Sequence, residues 1–245
     1  WYFKVVKTYK KGIGYKYLSE TKYFRDRPFI DDIGMVVSPP LYKAYPHAQK
    51  ITLPAPDFPS SDLWKVIARR RSYRHFTRNP LTLEELAILL WAGQGITSPQ
   101  GYRTAPSAGA LYPIETYLVI NRVQDIPAGI YHFNVANFFL EELVKGDFSN
   151  ALTSAALGQS VMKRAAVVFV WTAVILRCMA KYRNRAIRYI FLDAGHICQN
   201  ILLAATALNL GACPVGAFFD EEIDKLLGLN SETEMSIYLT AVGKI

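Results

Sequence analysis

Hydrophobic and polar positions along this chain switch between two periods. In "SDLWKVIARR" the apolar residues return every third or fourth position, which places Leu63, Trp64 and Ile67 on one face of a helix capped by Ser61 or Asp62. "LTLEELAILLWAG" gives the clearest helical pattern: Thr82 and Glu85 form a capping box, and Gly93 is expected to stop it. Period two takes over in "IETYLVI" (114–120), a strand, and in "GIYHFN" and "FFLEEL", two strands joined by an Asn-containing turn. A short helix is expected at 149–157 and a buried strand at 165–175. A long helical pattern then runs from about Cys178 to Leu210, with a bend expected at Gly195. "GACPVGAF" reads as loop and strand, "DEEIDKLLGL" as a helix and "MSIYLTAVG" as the last strand.

Helices and strands are mixed, with hairpins, which predicts an α+β fold rather than strict β-α-β alternation. Residues 1–60 are rich in Tyr, Lys and Pro and show poor periodicity, and "SPPLYKAYP" and "LPAPDFPS" look extended. They read as an N-terminal arm that wraps the core or meets a partner, with the main domain at 61–245. The run "AAVVFVWTAVIL" (165–176) is too short for a bilayer, which needs about 20 residues.

Composition adds bounds. The chain has 245 residues, 51% hydrophobic and 20% charged, enough for one large core or two small ones. Cys178, Cys198 and Cys213 are too scattered for a disulfide scaffold and suggest buried thiols in a reducing, cytoplasmic setting. His47, His75, His132 and His196 lie far apart, and no Cys or His pair has metal spacing. The net charge of +8 reads as a solvated basic surface that an anionic cofactor would use locally. No motif points to nucleic acid, and neither nucleic acid nor a membrane is expected as a partner.

Four places carry candidate chemistry. "RRRSYRHF" (69–76) crowds guanidinium groups around a serine, an arrangement that a phosphate dianion would relieve. "TAPSAGALYP" carries almost no side chain from Pro106 to Ala110, so backbone can approach a flat ring. "LGACPVGAF" (210–218) is similarly small, and Lys244 is a lone cation after the last strand. There is no G-x-G-x-x-G before a helix and no P-loop.

Taken together, "RRSYRHF", "PSAGALYPIE", "DAGHICQN" and "GACPVGAF" resemble the nitroreductase superfamily of flavin enzymes, over residues 61–245. More narrowly they resemble the SagB-type dehydrogenases, which include the azoline oxidases of thiazole/oxazole-modified peptide biosynthesis; "YLSETKYFRDRP" is similar to that subgroup's leading segment. The resemblance implies a mainly antiparallel central sheet flanked by helices, with FMN at the interface of a homodimer. Arg70, Ser72 and Arg74 would hold the ribityl phosphate, with Arg71 adjacent and Lys244 as the terminal phosphate cation. Pro106 and Ser107 would line the ring beside Ala108 and Gly109, and Val215, Gly216 and Ala217 would run past N5. Two departures stand out: Gly216 where the typical nitroreductase has an acidic residue, and Ala110 in the region of a common Asn. Lys181 and Tyr182 match the functional Lys-Tyr pair of the azoline oxidases.

Such a site implies a flavoprotein oxidoreductase in which the flavin supplies hydride chemistry and the protein supplies position and electrostatics. Oxidising an azoline needs a base, and a lysine desolvated beside other cations would have a lowered pKa. Tyr182 would orient the substrate or relay the proton, with oxygen restoring the flavin. The alternatives are an NAD(P)H-dependent nitro or quinone reductase, and a non-catalytic flavin-binding subunit of a peptide-modifying complex. His196 is expected to pack, Glu115 to pair with an arginine and Cys213 to be a structural thiol; Tyr112, beside the flavin loop, is a lesser candidate for shaping the substrate pocket.

Overall fold

The computed structural model describes residues 13–20, 37–57 and 62–245. Ser61 and most of "YLSETKYFRDRP" lie outside the described residues. The elements run α1 (Ile13–Glu20), β1 (Gln49–Thr52), α2 (Leu63–Arg69), α3 (Leu83–Gln94), β2 (Ile114–Ile120), β3 (Gly129–Asn134) and β4 (Phe139–Lys145). They continue α4 (Ser149–Ala155), α5 (Val161–Arg164), β5 (Val167–Val174), α6 (Ile175–Tyr182), α7 (Ala186–Ala207), β6 (Leu210–Val215), α8 (Asp220–Leu227) and β7 (Glu234–Lys244). The strands form one sheet in the order β1-β4-β3-β2-β5-β7-β6, every neighbouring pair antiparallel. The α+β expectation therefore holds.

Every residue of β2, β3 and β5 is buried, because these strands occupy the centre of the sheet and are covered on both faces. Pleating sorts their side chains into two cores. Leu118, Phe169 and Trp171 pack with Leu86 and Leu90 of α3 and with Ile190, Ile197 and Ile201 of α7. Tyr117, Val168 and Val170 pack on the other face with Leu152 of α4, Met162 of α5 and Ile223 of α8.

Several boundaries differ from the sequence reading. Gly93 does not stop α3, which runs to Gln94 with Gly95 as its cap. Gly93 sits instead where a Cβ would lie 3.2 Å from Ile201, so its value is close helix packing. The capping box of Thr82 and Glu85 is present. The long helical stretch breaks at Arg183 (φ 52°, ψ −142°) and the short 3₁₀ turn Arg183–Arg185, not at Gly195. By length and composition Ile175–Ala207 could cross a membrane, but α7 presents Ile190, Ala194, Ile197 and Ile201 to the sheet as a core helix. Within the arm, Gln49–Thr52 adds the edge strand β1 beside β4. His196 is exposed rather than packed.

One face of the sheet holds a buried charged cluster. Arg177 Nη1 donates to Glu115 at 2.5 Å, His132 Nε2 lies 3.1 Å from Glu115, and His132 Nδ1 lies 2.7 Å from Glu141. Two carboxylates on two ring nitrogens require imidazolium. Burial alone would lower the His132 pKa, but hydrogen bonds and charge from Glu115 and Glu141 outweigh it and raise it. Burial would likewise raise Glu115 and Glu141, yet His132 and their other donors bring both down. Arg177 also donates from Nε to the Pro40 carbonyl at 2.7 Å, and Glu141 accepts from the Tyr45 amide at 2.9 Å, so the cluster ties the arm to the sheet.

The cluster's contribution is bounded on both sides. The lowered carboxylates lose theirs as pH falls through their folded values, below the ordinary 4.5. Raised His132 contributes fully below 6.5 and loses its part as pH climbs through its higher folded value. The melting temperature should therefore be highest between roughly pH 5 and 6.5 so far as this cluster sets it. Glu115→Gln, which leaves Arg177 buried without its counter-charge, should cost about 3–5 kcal/mol in urea unfolding; a loss below about 1 kcal/mol would show that the cluster is not fully desolvated.

Candidate functional site

The small-residue loop is held by a carboxylate from α7. Asp193 is 3% exposed on the inner stripe of that helix. Its Oδ2 accepts from Ser107 Oγ at 2.6 Å, and its Oδ1 accepts from the Ala108 amide at 3.3 Å. Ser107 Oγ in turn accepts from the Tyr112 amide at 2.9 Å. Burial pushes the Asp193 pKa up, while the Ser107 and Ala108 hydrogen bonds pull it down. These bonds fasten a strained loop, since Gly109, Ala110 and Tyr112 all adopt positive φ (63°, 53° and 44°). Tyr112 is buried, and its hydroxyl accepts from the Arg103 amide at 3.1 Å, so it props the loop from inside instead of shaping an open pocket.

Lys181 and Tyr182 meet this loop. A Cβ built on Gly109 would lie 2.7 Å from Tyr182 Oη and 2.9 Å from Lys181 Nζ. Adjacent helix positions diverge by about 100°, but α6 ends at Tyr182, and both tips reach Gly109 at that terminus. Tyr182 is also packed against Tyr189 of α7, ring centroids 4.7 Å apart. Glycine adopts this φ of 63° without strain and leaves room for the two tips.

The arginine segment runs along the free edge of β6. Ser72 makes a parallel bridge to Ala212, and the Tyr73 amide donates to the Ala212 carbonyl at 2.9 Å. Arg70 lies near enough to Cys198 of α7, and Arg74 to Cys213 of β6, to oppose in part the burial that raises both thiols. Asp193 and Cys198 are five residues apart on α7, about 7.5 Å of rise, so one helix positions both the loop and the first arginine. Arg71 turns back on the Ala68 and Arg70 carbonyls at 3.1 and 2.7 Å. Among the described residues no carboxylate pairs with Arg70, Arg71 or Arg74. Lys244 lies opposite Leu210 in the β6–β7 register, but its ammonium is taken up by Glu85 of α3.

Val215 ends β6, buried, and Gly216 and Ala217 follow exposed. A Cβ on Gly216 would meet only the Tyr238 ring, at 3.7 Å, so that side is open. The Ala217 carbonyl accepts from Gln159 at 2.8 Å. All three cysteines are buried and free, and Glu115 pairs with Arg177 as expected. Sequence reasoning missed Asp193 as the loop's anchor. The signal was available, because an Asp at an inner position between Ile190 and Ile197 breaks an apolar stripe and needs a partner.

The nitroreductase family model matches residues 67–244, and the chain belongs to that family. A protein of Methanocaldococcus jannaschii named as a candidate nitroreductase is 35% identical over 189 residues, 77% of this chain and 94% of that one. The trifolitoxin-processing protein TfxB of Rhizobium leguminosarum bv. trifolii is 31% identical over 176 residues, 66% of this chain and 47% of that protein. The chain spans only about half the length of that relative. The crystal structure of a candidate nitroreductase from Anabaena variabilis superposes with a TM-score of 0.77 at 30% identity, covering 94% of this chain and 46% of that one. The Escherichia coli microcin synthetase complex McbBCD, solved with truncated pro-MccB17, contains a chain that shares the fold (TM-score 0.63, 22% identity, 80% of this chain and 78% of that one).

The loop anchor is testable without ligand. Asp193→Asn and Ser107→Ala should each cost about 1–3 kcal/mol in urea unfolding. Because they share one hydrogen bond, the double variant should lose less than the sum. Strictly additive losses would show that the bond does not hold the loop.

Proposed function

We propose that this chain is an FMN-dependent oxidoreductase, acting as a cytoplasmic homodimer. The observation that carries the reading is the meeting of Lys181 Nζ and Tyr182 Oη at Gly109, in the loop of small residues fastened by Asp193. The residues present fit a flavin: a stripped loop on one side, an open glycine at Gly216 on the other, and arginines lacking carboxylate partners. Arg70, Ser72 and Arg74, with Arg71 adjacent, would hold the phosphate; Pro106, Ser107, Ala108 and Gly109 would line the ring; Val215, Gly216 and Ala217 would face its N5 edge. Lys244 joins the phosphate set by resemblance, and serving there requires it to exchange Glu85 for phosphate. Bound FMN supplies a hydride acceptor and donor.

The chain's own groups set the rest. Lys181 Nζ accepts a carbon-bound proton from the substrate, and Tyr182 Oη orients the substrate or passes that proton on. Lys181 is exposed in the single chain, so its desolvation must come from bound ligand and partner subunit. The homodimer is supported by an uncovered apolar face: Leu63, Trp64 and Ile67 of α2 are 55%, 77% and 46% exposed, next to a cleft of about 320 Å³ reaching Trp91 and Ala204.

Likeness to a trifolitoxin-processing protein favours oxidation of an azoline-type ring in a modified peptide, with oxygen as final electron acceptor. The Methanocaldococcus relative favours a second reading, reduction of a nitro compound or quinone at the expense of NAD(P)H. Lys181→Ala and Tyr182→Ala should abolish turnover of an azoline peptide while the protein stays yellow; two variants as active as wild type would remove the pair from catalysis, and activity with NADPH alone would select the reductive reading. Arg70→Ala or Arg74→Ala should weaken FMN roughly tenfold to a hundredfold, the worth of one charge-assisted contact. Unchanged flavin affinity in both would overturn the phosphate assignment.

A further inference from the structure

A second set of cations lies on the sheet face that carries α4 and α5. Arg78, Arg122, Lys163 and Arg164 line one cavity of about 750 Å³, together with His75 and Ser160. No carboxylate lines it, and among the described residues none forms an ion pair with any of the four. Asp147 feels the Lys163 charge only as the smallest of its influences and already accepts from the Ser149 amide at 2.8 Å.

Arg122 is the informative member. Its backbone is held on both sides, the amide donating to Ala166 and the carbonyl accepting from Leu81. Its Nη2 donates to the Arg164 carbonyl at 2.6 Å, but its Nε is buried with no partner. Burial and the Arg78 charge both push its pKa down, a sign of a missing counter-charge. Arg164 Nη1 lies 3.0 Å from His75 Nδ1, which makes that nitrogen the acceptor and leaves Nε2–H as one more donor. The cavity is therefore rich in donors and short of acceptors.

We propose that this cavity binds the diphosphate group of a small phosphorylated ligand, at a site separate from the Arg70–Arg74 segment. Guanidinium groups pair bidentately with phosphoryl oxygens. Cations from three separate stretches of chain are better matched by two linked phosphoryl groups than by one compact anion. The volume lies within the range of small-ligand sites, roughly 300–1,000 Å³, so an organic portion also has room.

Calorimetric titration of the FMN-saturated protein at low salt, with inorganic pyrophosphate and separately with ADP, tests this. At least one probe should bind, and binding should weaken with added salt. The double variant Arg78→Gln, Lys163→Gln should bind that probe roughly tenfold more weakly or worse, with wild-type flavin content and melting temperature. Arg74→Ala should keep it. Failure of both probes to bind at millimolar concentration, equal affinity in the double variant, or loss of binding in Arg74→Ala would overturn the proposal. The readout is ligand heat rather than turnover, so it stands apart from the fate of the flavin reading.

Discussion

One buried carboxylate organises the candidate site. Asp193 projects from the core face of α7 and spends both oxygens on the Ser107–Ala108 turn. A loop with three successive excursions into positive φ has no reason of its own to stay folded. It is kept by that bond pair, by Tyr112 wedged beneath, and by the rigid seating of α7 on the sheet. The same helix then fixes where Lys181 and Tyr182 arrive, because Tyr189 packs on Tyr182 one turn inside α7. Geometry at Gly109 is thus inherited from helix–sheet packing, which is stiff, and not from the loop, which is not.

Charge is handled in two ways in this molecule. Around Glu115 the charged groups His132, Glu141 and Arg177 are joined in ion pairs, while the nearby buried Arg103 donates to the neutral Gln94. At Arg70–Arg74 and again around Arg122 the cations have no carboxylate partner among the described residues. The net charge of +8 accordingly divides into surface charge and local demand, which no total could reveal.

The sequence made the strands and most helices legible, since β2, β3, β4, β5 and β7 and helices α3 and α8 follow from period and turn residues alone. Local signals failed where tertiary contacts decide. Gly93 looked like a stop and proved to be a packing contact with Ile201; the break at Arg183 carries no glycine or proline; β1 is four mostly exposed residues whose strand character comes from its β4 neighbour. In the candidate site the cationic and small-residue stretches were visible because their composition is odd. Asp193 was passed over because one acidic residue in a long apolar helix draws the eye only once its inner position is counted.

The convergence at Gly109 also bears on which chemistry the chain performs. A nitro or quinone reductase needs a ring face and room for two ligands in turn, but no positioned base. On the proposed reading, the amine and phenol that meet at Gly109, where α6 ends, have no part to play in hydride exchange between a nicotinamide and a quinone. They are required when a carbon–hydrogen bond must lose a proton as its neighbour gives up hydride. The exposure of Lys181 turns this into a statement about assembly. On the proposed reading, bound ligand and a second subunit would exclude solvent from this side chain. On the proposed homodimer reading, the exposed apolar residues of α2 would be covered by the partner as well.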